Sequence, residues 1–148
     1  MCRGMVRALT ALHRAKSSPE WVAIVLLISC YIEAIAADGG DGSRGRFEVF
    51  LRKNFRELCK GLRETTGRNG AATFYEHFRN KMAHRYFTPD PTFALAEDDE
   101  LDGRYAGVVD TDAGPRTAIN VDRLYRDFVS LARKRAQKFA KKRRKKPA

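Results

Sequence analysis

One ten-residue passage, 78–87, concentrates the side chains of this chain that are suited to chemistry. It reads Phe-Arg-Asn-Lys-Met-Ala-His-Arg-Tyr-Phe, so Arg79 stands five residues before His84. Histidine titrates near neutral pH and can accept or donate a proton. Arginine stays charged and offers a planar fork of N–H donors to phosphate oxygens. Together the two side chains could move a proton and stabilise negative charge that develops on a phosphate group.

The spacing within this passage sets a geometric condition on the site. On an ideal α-helix five residues turn by about 500°, so Arg79 and His84 lie about 140° apart. Either the long Arg79 side chain reaches round the helix, or the helix is irregular there. Asn80 stands four residues before His84 and shares its face, so it is a candidate to orient the imidazole or bind phosphate. His77 shares a stripe with His84, but the sequence offers no third ligand, and we predict no metal site and no cofactor.

Each of these side chains also has an ordinary structural interpretation. His84 could be a hydrogen-bonded, partly buried histidine, Arg79 a surface ion-pair partner and Asn80 a polar surface residue. Glu33 lies in an otherwise apolar segment, where a carboxylate is costly unless it is paired. We therefore expect Glu33 either to brace Arg79 or His84 as an auxiliary site residue, or to lie in water at the end of its helix.

Hydrophobic spacing predicts the helices that must position these residues. Ser18, Pro19 and Glu20 form a typical helix start, and the glycine-rich stretch 38–43 ends the helix that they begin. Pro89 and Pro91 exclude continuation of the helix that carries the motif. The predicted helices are 4–16, 19–37, 45–63, 71–88 and a last helix that begins at Asn120 as its cap.

The segment 92–119 departs from the helical pattern. Phe93 and Leu95 alternate with small residues, and an acidic turn at 97–100 separates them from Tyr105 and Val108. We predict a small β-hairpin or an irregular insertion here. The predicted fold class is therefore all-α, a bundle of four to five helices in a single domain over 1–140, with this insertion before the last helix.

The net charge of +11 is concentrated at the C-terminal end. Ten basic and no acidic residues follow position 132, and subtracting these ten from +11 leaves about +1 for residues 1–132. Such a stretch binds polyanions with salt-sensitive, sequence-independent affinity, although a solubilising tail or a targeting signal has the same composition. We predict that 141–148 is a disordered basic tail. The predicted RNA-binding residues are Lys81, Arg85, Lys138, Lys141, Lys142, Arg143, Arg144, Lys145 and Lys146.

The R-x-x-x-x-H motif, with Asn80 directly after the arginine and Tyr86 two places after the histidine, resembles the signature of HEPN domains. It is most similar to the R-x-x-x-x-H-x-Y form of HEPN toxins in toxin–antitoxin modules. The Tyr-Ile-Glu-Ala stretch at 31–34 and the Arg-Phe-x-x-Phe-Leu stretch at 46–51 also resemble some members. The insertion 92–119 and the basic tail depart from the compact family core.

The resemblance implies a metal-independent endoribonuclease that acts as a homodimer. A two-fold axis would bring two copies each of Arg79 and His84 into one composite cleft. Arg79 would bind the scissile phosphate, His84 would move protons and Asn80 would assist. The expected products are a 2′,3′-cyclic phosphate and a 5′-hydroxyl. The resemblance further implies a toxin or phage-defence setting, an antitoxin protein as a partner, and Tyr86 as a site of nucleotide modification.

The cysteines and the apolar run indicate in which cellular compartment the protein works and whether it spans a membrane. Cys2, Cys30 and Cys59 are widely spaced and odd in number, which is typical of neither a disulfide framework nor a zinc site and favours a reducing, cytoplasmic setting. Cys30 lies in an apolar run and is predicted to be a buried thiol. That run, from Trp21 to Ile32, is shorter than the roughly twenty residues a membrane span needs, so no membrane partner is predicted.

Two other classes of function remain open from the sequence. A catalytically inactive RNA-binding or adaptor module would keep the helices and the basic charge, with Arg79 and His84 packed away rather than converging in an open cleft. An unrelated helical protein would carry the motif by accident, with Lys141 to Lys146 as a nuclear-type signal or a DNA tether.

Overall fold

A computed structural model describes residues 2–15, 18–37, 43–84 and 91–144 of the chain. Two helices open it, α1 (Cys2–Ala15) and α2 (Ser18–Ala37). Helix α2 is apolar on nearly all sides, and Ile24, Val25 and Ile28 are fully buried in the main core. It packs against α1, against the next helix, against the helix that carries the motif and against the last helix. The strongest helical signal in the sequence thus becomes the central element of the fold.

The apolar stretch of α2 is longer than the run recognised in the sequence. Over Glu20–Ala37 the helix is long and apolar enough, by length and composition, to cross a membrane, and it lies near the N-terminus. Of that stretch 44% is buried inside the protein. The central helix of a soluble protein has the same properties, and the packing of α2 on four other helices is compatible with that description.

The predicted helix 45–63 is two helices, α3 (Arg44–Asn54) and α4 (Arg56–Thr66). Phe55 separates them with φ −131° and ψ 52°, outside the helical region. Its ring is buried beside that of Phe50, with the ring centroids 6.5 Å apart, and its N–H donates to the Leu51 carbonyl at 2.7 Å. The kink lets Phe55 reach the core while the apolar stripe continues on α4.

Helix α5 covers 70–84 and carries the motif. It begins as an α-helix (Gly70–Thr73), continues as a π-helix (Phe74–Lys81) and ends as an α-helical turn (Met82–His84). The sequence predicted the helix and left open whether it is irregular at the motif. The structure places the irregularity across Arg79 and Asn80.

Three strands follow α5: β1 (Phe93–Ala96), β2 (Ala106–Thr111) and β3 (Gly114–Asn120). The central strand is β3, which pairs antiparallel with β2 through a tight hairpin and parallel with β1. The hairpin turn is made possible by Gly114, whose φ of 99° is open to glycine. The sheet packs on α4 through β2 and β3.

The last helix, α6 (Val121–Arg144), starts directly after β3. The Asn120 side chain caps it by accepting from the Arg123 N–H at 2.8 Å, as the sequence predicted. The same buried side chain donates to the Asp98 carboxylate at 2.8 Å and to the Arg104 carbonyl at 3.0 Å. Asn120 therefore ties the insertion to the start of α6.

The predicted all-α fold class is wrong. The described residues form six helices and a three-stranded mixed sheet, which is an α+β fold. The hairpin predicted across the acidic turn 97–100 is wrong: the residues around Phe93 and Leu95 do form a strand, β1, but the hairpin joins β2 to β3, and β1 pairs in parallel with β3, more than twenty residues away. The alternation at 93–95 indicated a strand, but its pairing depends on the position of β3 rather than on local sequence.

Candidate functional site

The start of α5 is held tightly against α4. Asn69 caps it by accepting from the Ala72 N–H at 3.1 Å. A Cβ at Gly70 would lie 1.9 Å from the Cys59 carbonyl oxygen, so only glycine permits this approach. Burial raises the pKa of the Cys59 thiol to about 11, which keeps it protonated and unreactive. This end of α5 is a fixed point from which the motif extends.

The core anchors one face of α5. The side chains of Phe74, Phe78 and Met82 are buried in the main cluster. On the side of the sheet, the Phe93 ring of β1 meets the Phe78 ring edge-on with the centroids 5.1 Å apart. The same ring stacks on His77 at 4.2 Å. The motif helix is therefore clamped between the core and β1, and His77 belongs to this packing contact.

The π-helical hydrogen bonding changes how the motif side chains are arranged. A π-helix pairs residue i with i+5 and so takes more than four residues per turn, whereas an α-helix takes 3.6. Positions five apart therefore come closer to a common face than the 140° of an ideal α-helix. The turns that carry Arg79 and Asn80 therefore contain more residues than an α-helical turn. Turns of this kind are frequent at functional sites.

Arg79 turns towards α2 and pairs with Glu33. Its Nη2 donates to the Glu33 Oε2 at 2.8 Å, and the two side chains are only 23% and 22% exposed. The hydrogen bond to Glu33 raises the pKa of Arg79, and partial burial opposes this rise. Arg79 therefore carries its charge at every accessible pH. The carboxylate that looked costly in an apolar helix is matched by this guanidinium.

The Arg79 guanidinium is not fully satisfied within the described part of the protein. Its Nε is buried without a hydrogen-bond partner there. A buried donor without a partner costs stability, and such costs are characteristic of sites whose geometry serves something other than folding. Cys30 and Tyr75 contribute to the electrostatic environment of the same guanidinium.

His84 and Asn80 are placed differently from Arg79. His84 is exposed at the end of the described part of α5, and Asn80 is half-buried. Within the described residues neither side chain makes a hydrogen bond, so neither is tied to the Arg79–Glu33 pair. A single chain therefore presents an accessible imidazole in the same motif as a guanidinium that is held in place by a second helix.

The remaining predicted residues fall into three groups. Lys81 lies half-buried on α5 with its Nζ 3.4 Å from the His77 Nδ1. Lys138 and Lys141 are exposed on α6, which continues as a helix through residues 142–144. Arg85, Tyr86, Lys145 and Lys146 lie outside the described residues. The predicted disorder of 141–148 therefore stays a prediction for 145–148 only.

One site residue was misjudged from the sequence. Cys30 is exposed, and the prediction that it is a buried thiol is wrong. It stands three residues before Glu33 on α2, on the same side of the helix as the carboxylate. Its i, i+3 relation to Glu33, one of the two acids of the helix, was the signal available in the sequence.

The described residues contain no group of three or more His, Cys, Asp or Glu side chains positioned to hold a metal ion. Comparison of the chain with protein-family models, with curated proteins and with solved structures found no match. The chemistry of the site is therefore argued from its own residues.

Proposed function

We propose that this protein is a metal-independent endoribonuclease of the HEPN type that acts as a homodimer. The observation that carries the proposal is the Arg79–Glu33 pair: a charged guanidinium, fixed between two helices at 2.8 Å from its carboxylate, in the same motif as an exposed histidine. The pairing engages one Nη group, and the other Nη group retains N–H donors of the kind that phosphate oxygens accept.

The proposed reaction needs no group beyond these side chains and the RNA itself. The 2′-oxygen attacks the adjacent phosphorus while a base takes its proton. The bond from phosphorus to the 5′-oxygen breaks, and an acid protonates that oxygen. Arg79 stabilises the charge that develops on the phosphate oxygens. The products are a 2′,3′-cyclic phosphate and a 5′-hydroxyl, and the proton gained by the base balances the proton given by the acid.

The proposed dimer follows from the count of proton carriers. The reaction uses one base and one acid, whereas one chain offers His84 as its only exposed histidine among the described residues of the motif helix. A two-fold axis near the end of α5 would supply the second imidazole and a second guanidinium. One His84 would then accept the proton and the other would donate it. Asn80 is the candidate to orient one of them.

The setting is proposed from the motif alone. A ribonuclease of this type in the cytoplasm would need restraint, either by an antitoxin protein or by modification of Tyr86. A catalytically silent RNA-binding adaptor is the second candidate. It is favoured by one observation, that Glu33 already neutralises the charge of Arg79 within a single chain.

The test is cleavage of a mixed RNA pool by the purified full chain in the presence of EDTA. His84→Ala should lower the rate by about 10²–10⁴-fold, the usual contribution of general acid–base catalysis. His13→Gln is the matched control, because it removes a histidine that pairs with Asp122 at the contact of α1 with α6. If wild type and His84→Ala bind RNA equally and neither cuts, the adaptor replaces the enzyme. Loss of wild-type cleavage on EDTA addition would contradict the metal-independent mechanism.

A further inference from the structure

A second region with binding character lies between α3 and α6. An open groove of about 500 Å³ separates these helices, and its lining has no acidic side chain. It carries three cations and three apolar side chains: Arg46, Lys53, Arg135, Ala36, Val49 and Phe50. The groove thus suits an occupant that is negatively charged and also has apolar faces.

An arginine on an aromatic ring forms the floor of the groove. The Arg135 guanidinium lies over the Phe50 ring, with the Cζ 5.1 Å from the centroid. Phe50 is only 7% exposed, whereas Arg135 is partly exposed, so the guanidinium is the flat group of this pair that a ligand can reach. Nucleobases stack on such arginine planes as they do on aromatic rings. Val49 adds an apolar wall that is 56% exposed.

The same face continues along α6. Phe139 stands four residues after Arg135, one turn further on the same side of the helix, and is 66% exposed. From residue 133 to the last helical residue, 144, the helix has eight basic residues and no acidic one. An exposed phenylalanine in such a context combines an electrostatic attraction for a backbone with a stacking platform for bases.

We propose that the groove and Phe139 together form a binding track for single-stranded RNA. Bases stack on Arg135 and Phe139, and Arg46 and Lys53 contact the phosphates. The choice of RNA as the strand rests on the proposed function. Ala36, which lines the groove, is three residues after Glu33 on α2, so the track begins about one helical turn from the Arg79–Glu33 pair.

A membrane surface is the less favoured occupant of this region. A helix that lies in a bilayer surface presents a continuous apolar face. Among the described residues the exposed large apolar side chains are Val49, Val108 and Phe139, and Phe139 alone of these lies on α6. One ring among many cations suits a stacked base better than a lipid interior.

The test is binding of a fluorescent 2′-O-methyl oligonucleotide, roughly 12 nucleotides long, to the full chain by anisotropy. This probe has no 2′-hydroxyl and cannot be cut, so its binding does not depend on catalysis. Phe139→Ala should weaken binding about tenfold, and Phe139→Trp should restore it, because every base has a face that stacks. Arg135→Ala should weaken binding more than Arg133→Ala, its matched control about 160° away on the same helix.

Several results would overturn the track. Equal binding by wild type, Phe139→Ala and Arg135→Ala would do so, and so would a failure of Phe139→Trp to restore affinity. A duplex of the same length should bind more weakly, since its bases are already stacked; equal affinity contradicts single-strand recognition. Retention by anionic phospholipid vesicles that Phe139→Ala abolishes, without an effect on the oligonucleotide, would assign the region to a membrane. If the variants show that the track does not bind RNA but the protein still cleaves RNA, the proposed function stands and this inference fails. If the track binds the oligonucleotide but the protein does not cleave RNA, this inference stands and the proposed function fails.

Discussion

The two regions that we propose to act on RNA, the motif on α5 and the C-terminal half of α6, are built in opposite ways. On α5 a single guanidinium is held by a carboxylate from another helix and is mostly buried. In the C-terminal half of α6 most of the described basic side chains are exposed. The first region fixes one charge in place, and the second accumulates many charges, of which Arg135 is placed over the core ring of Phe50.

This difference matches the two roles proposed for the regions. Catalysis requires charge at a defined position, since misplacement by about 1 Å is expected to cost a hundredfold in rate. Backbone binding requires only charge density, because counterion release depends on the number of neutralised phosphates. Phe74 and Phe78 on α5 are buried in the core, whereas Phe139 in the C-terminal half of α6 is exposed.

The largest expected effect contrasts two phenylalanines. Phe78→Ala should lower the free energy of unfolding by about 3–5 kcal/mol, because it removes a ring that fills the core beneath the motif. Phe139→Ala should change it by no more than about 0.5 kcal/mol, since the ring is exposed. Urea unfolding of both variants measures the contrast. Similar losses in the two would show that the end of α6 packs on the body after all.

The next effect concerns the brace on Arg79. Glu33→Gln keeps an acceptor but removes the charge that fixes the guanidinium, so cleavage should fall about ten- to hundredfold. The loss should lie in kcat rather than KM, with the melting temperature little changed. Glu48→Gln is the control, because it makes the same substitution at a carboxylate that pairs with Arg44 on α3. Equal rates for Glu33→Gln and wild type would remove Glu33 from the site.

A smaller effect separates the two ends of α6. Asn120→Ala removes the helix cap and two further hydrogen bonds from a fully buried position, and should cost about 1–2 kcal/mol in unfolding free energy. Gln137→Ala, on the exposed part of the same helix, should leave stability unchanged. Thermal and urea unfolding compare them. A neutral Asn120→Ala would mean that water replaces the cap.

The smallest expected effect uses the cysteines. A bulky thiol reagent should label Cys30, which is exposed, before Cys59, whose raised pKa of about 11 keeps it a thiol at neutral pH. In a Cys2→Ser background this label should lower cleavage several-fold, because Cys30 lies beside the Arg79–Glu33 pair. Binding of the 2′-O-methyl oligonucleotide should not change. A Cys30→Ser variant that loses cleavage under the same treatment would assign the effect to another residue.

Local signals in the sequence located most of the helices. The helix-start signal at Ser18 and the cap at Asn120 predicted where α2 and α6 begin, and hydrophobic spacing predicted the central position of α2. The predicted end of α5 before Pro89 lies outside the described residues. The break at Phe55 was missed, because its dihedral angles follow from the need to bury a ring. The strand β1 was expected from its alternation, but its parallel pairing with β3 was missed because the two strands are distant in sequence.

The candidate site was only partly accessible to the same reasoning. The residue types and the spacing of Arg79, Asn80 and His84 drew attention to the motif, and the apolar surroundings of Glu33 marked it as a carboxylate in need of a partner. Which partner it takes could not be read from the sequence, because Glu33 and Arg79 are 46 residues apart and meet only when α2 packs on α5. The exposure of Cys30 has the same origin.

The sequence by itself determined the helical framework, the uneven charge and the chemical repertoire of the motif, because caps, breaks and periodicity act within a few residues. The tertiary structure alone decided the sheet, the π-helical turns under Arg79, the pairing with Glu33 and the groove beside Arg135. Each of these depends on which surfaces meet, and long-range packing sets that through the burial of many side chains at once. The motif supplied the reactive side chains, and the packing of α2 against α5 fixed the position of Arg79 by pairing it with Glu33.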